Sequence, residues 1–125
     1  MSIHKTDILI LAIPVSHKKA TLLNNEIYSN YNYEDDNEIF MFTDNQNMYK
    51  DVGYSYDEDE KVPHYIGIEI TEDKSEINKY INADINQDKY IINKFKIFKE
   101  QAMPILEKYD IDDREPSLIL VSQIG

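Results

Sequence analysis

One stretch near the N-terminus limits the folds open to this chain more than any other. Residues Asp7–Val15 read DILILAIPV, an almost unbroken apolar run that is too short and too β-branched for a helix. A strand without polar alternation must be covered on both faces, so the run predicts a central strand. Pro14 falls near its end, where a missing N–H matters least. Residues Ser117–Ile124, SLILVSQI, predict a second central strand, adjacent to the first or one strand away.

Between these two runs the periodicity predicts two more strands and three helices. Ser16 can cap a helix that begins at His17, with apolar residues at three-to-four spacing on one face. The other elements are predicted over Glu38–Thr43, His64–Thr71, Lys74–Ile81 and Ile91–Tyr109. The core-facing residues of the last helix include Phe95, Phe98 and Leu106. Pro104 inside that helix should kink or split it.

The order β-α-β-β-α-α-β and the length of 125 residues predict a single α+β domain over residues 1–125. We expect a mixed β-sheet of about four or five strands, with a long C-terminal helix packed on one face. A domain of this length buries roughly two-thirds of the surface that its unfolded chain exposes, so it can fold without disulfides or metal. The chain has no cysteine, which excludes disulfides, thiolate zinc sites and cysteine nucleophiles.

The apolar runs carry no targeting or membrane signal. Pro14 interrupts the run Ile8–Val15 and no small-residue cleavage site follows it, so no signal peptide is predicted. No stretch reaches the length of about 18 apolar residues that a membrane span needs. We therefore expect a cytoplasmic protein. The frequent use of Asn, Ile, Lys and Tyr suggests an AT-rich coding sequence, as in low-GC bacteria or their phages.

Residues Tyr28–Lys61 hold most of the negative charge of the chain. Between Tyr28 and Glu60 there are ten acids and one base, a net charge of −9 against −11 for the whole protein. Six of the ten tyrosines fall in the same stretch. An acidic protein is repelled by nucleic acid and by anionic lipid, so its favoured partners are basic surfaces or cations. Three other interpretations stay open: a loose cation site formed by Asp57–Glu60 and Glu34–Asp36, acids that are only solvated, and tyrosines that pack over a sheet edge.

The motifs that usually reveal an activity are missing or incomplete. Asp84-x-Asn86-x-Asp88 begins like an EF-hand loop, but Lys89 and Phe95 stand where glycine and glutamate are required. The three histidines have no metal-site spacing, and the three glycines are not grouped as a phosphate cradle requires. Ser-x-x-Lys occurs twice in the first nineteen residues, without the motifs that accompany it in penicillin-binding enzymes. We expect no enzyme activity, no cofactor and no metal.

The charge pattern favours a binding protein that neutralises a basic protein partner by steric and electrostatic blockade. Its carboxylates would occupy a phosphate-binding surface and its tyrosine rings the base-stacking pockets. The expected contact residues are Glu34, Asp35, Asp36, Tyr54, Tyr56, Asp57, Glu58 and Asp59. The partner would be a nuclease toxin or a nucleic-acid-binding protein, with no direct binding of nucleic acid or membrane. In charge alone the chain is similar to nuclease-toxin immunity proteins and to phage-encoded anti-defence DNA mimics, and no motif supports either likeness.

An alternative hypothesis is a small-molecule-binding protein or a small enzyme. Its pocket would lie between the long C-terminal helix and the sheet, lined by Tyr65, Tyr80, Tyr90 and Tyr109. A deep pocket would favour this alternative, whereas a shallow and strongly negative face would favour the binding protein. The sequence supplies no catalytic constellation for it, and the oligomeric state is left open.

Overall fold

The computed structural model describes residues 5–29, 37–44, 62–112 and 115–124. Four strands and three helices follow one another in these ranges. They are β1 (Lys5–Val15), α1 (His17–Ser29), β2 (Ile39–Thr43), β3 (His64–Thr71), α2 (Lys74–Ile81), α3 (Lys89–Lys108) and β4 (Ser117–Ile124). The predicted α+β class and the predicted order of elements are confirmed.

The four strands form one sheet in the order β2-β3-β1-β4, and every neighbouring pair is antiparallel. The sheet has the expected number of strands but is antiparallel rather than mixed. β1 is central, as its apolar run predicts. β4 is paired with β1 as expected but lies at an edge, so the prediction of a second central strand is wrong. Its apolar residues divide between two faces: Leu118 packs towards the helices, Ile119 and Val121 pack on the opposite face, and Leu120 is 45% exposed.

β1 is buried on both faces because its side chains alternate between two cores. Leu9, Leu11 and Ile13 face the helices and belong to the larger core. Ile8, Ile10 and Ala12 face the other way and belong to the smaller core. The larger core also contains Leu23, Ile27, Ile66, Ile68, Phe98 and Leu106, and the smaller core also contains Phe42 and Val121. The unbroken apolar run therefore reflects two separate cores that share one strand.

The smaller core is enclosed because the sheet curls until its two edge strands touch. β2 and β4 lie at opposite edges of the sheet, yet Phe42 of β2 and Val121 of β4 share the smaller core. The backbone N–H of Ser122 in β4 donates to Oδ1 of Asp44, the residue that follows β2, at 3.2 Å. The Ser122 hydroxyl donates to Oδ1 of Asp7 at 2.6 Å. The curl thus gives β1 its second buried face.

Gly67 allows β3 to lie close to β1. It is paired with Ala12 of β1 on one side and with Phe40 of β2 on the other. A Cβ at Gly67 would lie 2.8 Å from the Cα of Ala12, and nearer still to the carbonyl oxygen of Leu11 and the Cβ of Ala12. No side chain fits there, and the Phe40 ring packs against the smaller core beside this position. Glycine at this one point therefore permits the tight curl of the sheet.

α3 packs against the sheet with the face that its sequence predicts. Phe98 and Leu106 are fully buried. Phe95 is only half-buried at the margin of the larger core, so its expected place inside the core is corrected. Pro104 is exposed, and the helix runs through it without interruption from Lys89 to Lys108. The predicted split at this proline does not occur.

α1 is held in place by polar bonds at both ends. The Ser16 hydroxyl accepts from the backbone N–H of Lys19 at 3.2 Å, which confirms the predicted cap. The Lys19 ammonium donates to the carbonyl oxygen of Tyr109, at the end of α3, at 2.5 Å. Near the other end of α1, the Glu26 carboxylate accepts from the Lys108 ammonium and from the Tyr109 hydroxyl, each at 2.9 Å. These bonds fix the orientation of α1, whose first residue is His17.

Candidate functional site

The eight residues predicted to contact a partner lie in two segments, 30–36 and 45–61, that are outside the described residues. Glu34, Asp35 and Asp36 fall in the first segment, and Tyr54, Tyr56, Asp57, Glu58 and Asp59 in the second. Their attachment points are described. The first segment joins Ser29 to Asn37, and the second joins Asp44 to Val62. The first segment therefore ends just before β2 and the second begins just after it. These two points are on the order of 20 Å apart along an extended strand.

Both attachment points belong to the fixed part of the fold. At the second segment, the Asp44 N–H donates to the carbonyl oxygen of Pro63 at 3.0 Å, so the two ends of the segment are bonded to each other. After the first segment, the Glu38 N–H donates to Oε1 of Gln101 in α3 at 2.7 Å. The Glu38 carboxylate also forms an ion pair with Lys94 of the same helix. The acid-rich segments thus begin and end on ordered backbone.

A pair of histidines lies beside the second attachment point. His64 is the first residue of β3 and is paired with Thr43 on one side and with Val15 on the other. His17 Nδ1 lies 3.1 Å from His64 Nε2, and Thr43 Oγ1 lies 3.2 Å from His64 Nδ1. The two ring centroids are 5.1 Å apart and the ring planes meet at 49°. A neutral imidazole has one N–H and one bare nitrogen, so Thr43, His64 and His17 form a hydrogen-bonded chain with one proton in each gap.

This histidine pair forms part of the wall of a cavity of about 280 Å³ between α1 and the sheet. The cavity is lined by His17, Ala20, Thr21, Asn24 and Asn25 of α1, by Met41 and Thr43 of β2, and by His64 of β3. Among the described lining residues, imidazole, hydroxyl and amide groups supply the polar atoms, and none carries a carboxylate or an ammonium group. Such a wall can hydrogen-bond a small polar ligand.

Sequence reasoning missed this cluster. His17 and His64 are 47 residues apart and match no ligand spacing or catalytic motif. The only available signal was positional, because each histidine is the first residue of a predicted element. The pairing of His64 with Val15, two residues before His17, then brings the two rings together. That pairing follows from the strand register, which no local pattern specifies.

The four tyrosines of the small-molecule hypothesis do not line a common pocket. Tyr65 lies on the face of β3 away from the helices, against the smaller core. Tyr80 and Tyr90 stack with their centroids 5.8 Å apart, and the Tyr90 hydroxyl donates to the carbonyl oxygen of Ile70 at 3.2 Å. Tyr109 lies at the far end of α3 and donates to a carboxylate of α1. These tyrosines therefore have separate structural roles.

Several carboxylates of the described residues have shifted pKa values away from the histidine cavity, among them Glu26 and Glu69. Hydrogen bonds from Lys108 and then from Tyr109 lower the pKa of Glu26. Burial raises the pKa of Glu69, and the hydrogen bond and repulsion between Glu69 and Glu72 raise it further. Neither group lies among the residues that line the cavity. Both shifts are explained by local packing and pairing, and they bear on stability rather than on chemistry.

Comparison with family models, with characterised proteins and with solved structures found no match to this chain. No helix in the described ranges is long and apolar enough to cross a membrane. Within the same ranges, no three His, Cys, Asp or Glu side chains are grouped as a metal site would require. The features of this chain that bear on its function are its charge distribution, the attachment points and the histidine cavity.

Proposed function

We propose that this protein is an acidic binding protein that neutralises a basic protein partner by covering its nucleic-acid-binding surface. The observation that carries the proposal is the concentration of charge. Segments 30–36 and 45–61 contain eight acids and two bases, a net charge of −6 out of −11. The partner would be a nuclease toxin or another nucleic-acid-binding protein, blocked as by an immunity protein or a DNA mimic. The mechanism is steric and electrostatic blockade without turnover.

The fixed attachment points support a binding role for these segments. Asp44 is bonded to Pro63 across the second segment, and Glu38 is bonded to α3 after the first. A segment with anchored ends has fewer conformations than a free tail of the same composition, so it loses less entropy on binding. Beside the first segment, Glu38 is already paired with Lys94 of the fold. The two segments carry more than half of the net charge of the chain.

The composition of the segments suits the two stages of complex formation. Their net negative charge would attract a basic surface before contact, and this attraction is screened over about 8 Å at physiological ionic strength. Their five tyrosines would supply contact area after encounter, because an aromatic ring buries a large surface at a low cost in side-chain entropy. We therefore assign fast association to the carboxylates and slow dissociation to the rings.

A DNA-affinity column tests the proposal directly. Lysate of the source cell is applied to DNA-cellulose at low salt, and the purified protein is then added to the wash buffer. If the protein blocks a nucleic-acid-binding partner, that partner should leave the column with it and can be identified by mass spectrometry. The salt concentration is kept low throughout, because salt alone weakens protein–DNA contacts and would elute the partner without the added protein. Failure to release any protein at low salt would refute the proposal.

Two matched variants then locate the contact. One neutralises Asp57, Glu58 and Asp59 with the corresponding amides. The control neutralises three exposed acids of the described part, by the same change in net charge: Glu100, Asp110 and Asp112. The first variant should slow association with the released partner by about tenfold at low salt. The control should slow it much less, because charges near the contact act mainly on the association rate. Tyr54→Ala should instead raise the dissociation rate. Equal slowing by both triple variants would exclude segment 45–61 as the contact.

The cavity between α1 and the sheet supports a second candidate function, the binding of a small polar ligand. The alternative hypothesis placed such a pocket beneath the long helix, whereas the described cavity lies against α1. Its wall places His17, His64 and Thr43 within hydrogen-bonding distance of one another. A fragment screen followed by NMR of the histidine rings tests this function. A true ligand should shift the resonances of His17 and His64 and leave those of His4 unchanged.

A further inference from the structure

The two histidines on the cavity wall have the separation of a metal chelate. His17 Nδ1 and His64 Nε2 are 3.1 Å apart. Two imidazole nitrogens bound to one ion at about 2.0–2.1 Å stand about 3.3 Å apart in a tetrahedral site and about 2.9 Å apart at a right angle. The observed distance falls between these two values. An ion bound at these lengths would lie about 1.3 Å off the line that joins the two nitrogens, so both rings must tilt from their hydrogen-bonded orientation to point at it.

We propose that His17 and His64 form a two-nitrogen binding site for a divalent transition-metal ion of the class of Zn²⁺, Ni²⁺ and Cu²⁺. Neutral imidazole is a ligand that these ions favour, whereas Mg²⁺ and Ca²⁺ favour oxygen. The proposal uses only residues that the structure describes and invokes no basic partner, so its test is separate from the test of the binding function.

The backbone preorganises this pair. His17 is the first residue of α1, directly after the Ser16 cap, and His64 is the first residue of β3, paired with Val15. Only Ser16 separates Val15 from His17 in the chain, so the helix start is tied to the strand that holds His64. Ligands carried on fixed elements lose little freedom when the ion binds. The backbone therefore holds the two imidazoles close to each other before any ion binds.

Thr43 supplies the outer support that a metal-binding histidine needs. When His64 binds an ion through Nε2, its proton must lie on Nδ1, and Thr43 Oγ1 is 3.2 Å from that nitrogen. His17 then binds through Nδ1 and carries its own proton on Nε2. Two neutral imidazoles thus accept the ion by a change of tautomer, with no net release of protons. An outer hydrogen bond of this kind fixes the ring and its tautomer, and its loss costs about 10–100-fold in metal affinity.

The described residues supply two nitrogens, and the cavity of about 280 Å³ has room for waters as further ligands. The lining hydroxyl of Thr21 and the amide of Asn24 can hydrogen-bond such waters. With two ligands from the described residues, affinity should be in the micromolar range and should follow the order Cu²⁺ above Ni²⁺ and Zn²⁺. The net charge of −11 raises the concentration of cations near the protein without selecting among them.

Calorimetry and NMR on the full chain without an affinity tag test the site. We expect one Cu²⁺, Ni²⁺ or Zn²⁺ ion per chain, and no displacement of that ion by excess Mg²⁺. On addition of Zn²⁺ to the wild-type protein, the ¹⁵N resonances of His17 Nδ1 and His64 Nε2 should shift together. This measurement needs no variant, so it holds even if a substitution disturbs the fold. Resonances of both nitrogens that stay unchanged at saturating Zn²⁺ would overturn the proposal.

Variants then separate this site from nonspecific binding. His17→Gln and His64→Gln should each lower affinity by at least about tenfold, while the control H4Q, the third histidine of the chain, should leave it unchanged. Thr43→Val should lower affinity by about tenfold and Thr43→Ser should keep it. Binding that survives the double variant of His17 and His64 would assign the ion to carboxylates and refute the site. Loss of binding in H4Q alone would refute it equally.

Discussion

Substitution of Gly67 by alanine tests how the sheet is built. A Cβ at this position would lie 2.8 Å from the Cα of Ala12, and nearer still to the oxygen of Leu11 and the Cβ of Ala12. Two carbon atoms in ordinary van der Waals contact stand about 3.5–4.0 Å apart. Two of the three obstructing atoms are main chain, so rotation of a side chain cannot relieve the overlap. Relief requires β3 to move away from β1 by about 1 Å, against the hydrogen bonds on both sides.

The expected cost follows from this geometry. Extra methyl groups in a packed core usually cost about 1–3 kcal/mol when neighbouring side chains can adjust. Here the neighbours are backbone atoms of the central strand, so we expect Gly67→Ala to lower the free energy of unfolding by about 3 kcal/mol or more. The lower entropy of alanine in the unfolded chain returns less than about 1 kcal/mol. The net loss is a large fraction of the roughly 5–15 kcal/mol that stabilises a typical domain.

Urea unfolding followed by far-UV circular dichroism measures this loss, with the slope of the transition as a check that the unfolded state is unchanged. A loss below about 1 kcal/mol would refute the close approach of β3 and β1. The double variant Gly67→Ala/Ala12→Gly provides a matched control. It removes the Cβ of Ala12 but leaves the oxygen of Leu11 in place, so it should recover part of the loss and not all of it. A coupling energy near zero between the two sites would also contradict the described contact.

Three further predictions concern the helices and the carboxylates. Phe98→Ala should lower the free energy of unfolding by about 3–5 kcal/mol in urea, because the ring is fully buried in the larger core. Glu26→Gln should destabilise the protein at neutral pH, since Lys108 lowers the pKa of Glu26. The difference in melting temperature between variant and wild type should be fully present above pH 4.5, the ordinary pKa of a glutamate. It should be lost as the pH falls through the lowered pKa of Glu26. Glu69→Gln should have the opposite effect on stability, because burial and Glu72 raise the pKa of Glu69. The variant should be more stable than the wild type at neutral pH. The two should be equally stable in acid, where the Glu69 carboxyl is protonated in both folded and unfolded chains. A pH-independent difference in either series would contradict the assigned cause.

The elements of this fold could be predicted from sequence because their signals are local. The run Asp7–Val15 identified a strand with two buried faces, and Ser16 identified the start of α1. The position of β4 could not be predicted in the same way. Its apolar run suggested a central strand, but in a curled sheet an edge strand can also pack on two faces, as Leu118 and Val121 do. The curl depends on Gly67 and on contacts between distant strands, which leave no periodic pattern.

The candidate functional residues also differ in whether their signal in the sequence is local. The charge of the segments 30–36 and 45–61 is a property of composition, so it could be found without a structure. The contact between His17 and His64 depends on strand register, so it could not. The four tyrosines named for a pocket do not all come together for a related reason, because Tyr65 and Tyr80 lie on opposite sides of the sheet. Residue type suggests chemistry, but only topology decides which residues meet.

The bond between Asp44 and Ser122 also bears on self-association. An edge strand offers unpaired N–H and C=O groups on which the strand of another molecule can add, and β4 is such an edge with Leu120 exposed on it. The Asp44 carboxylate occupies the Ser122 N–H from within the same molecule and places a negative charge at that point. An incoming strand would have to displace this carboxylate and bring its own backbone against the charge. The contact that closes the sheet therefore also makes strand addition at this point of β4 less favourable.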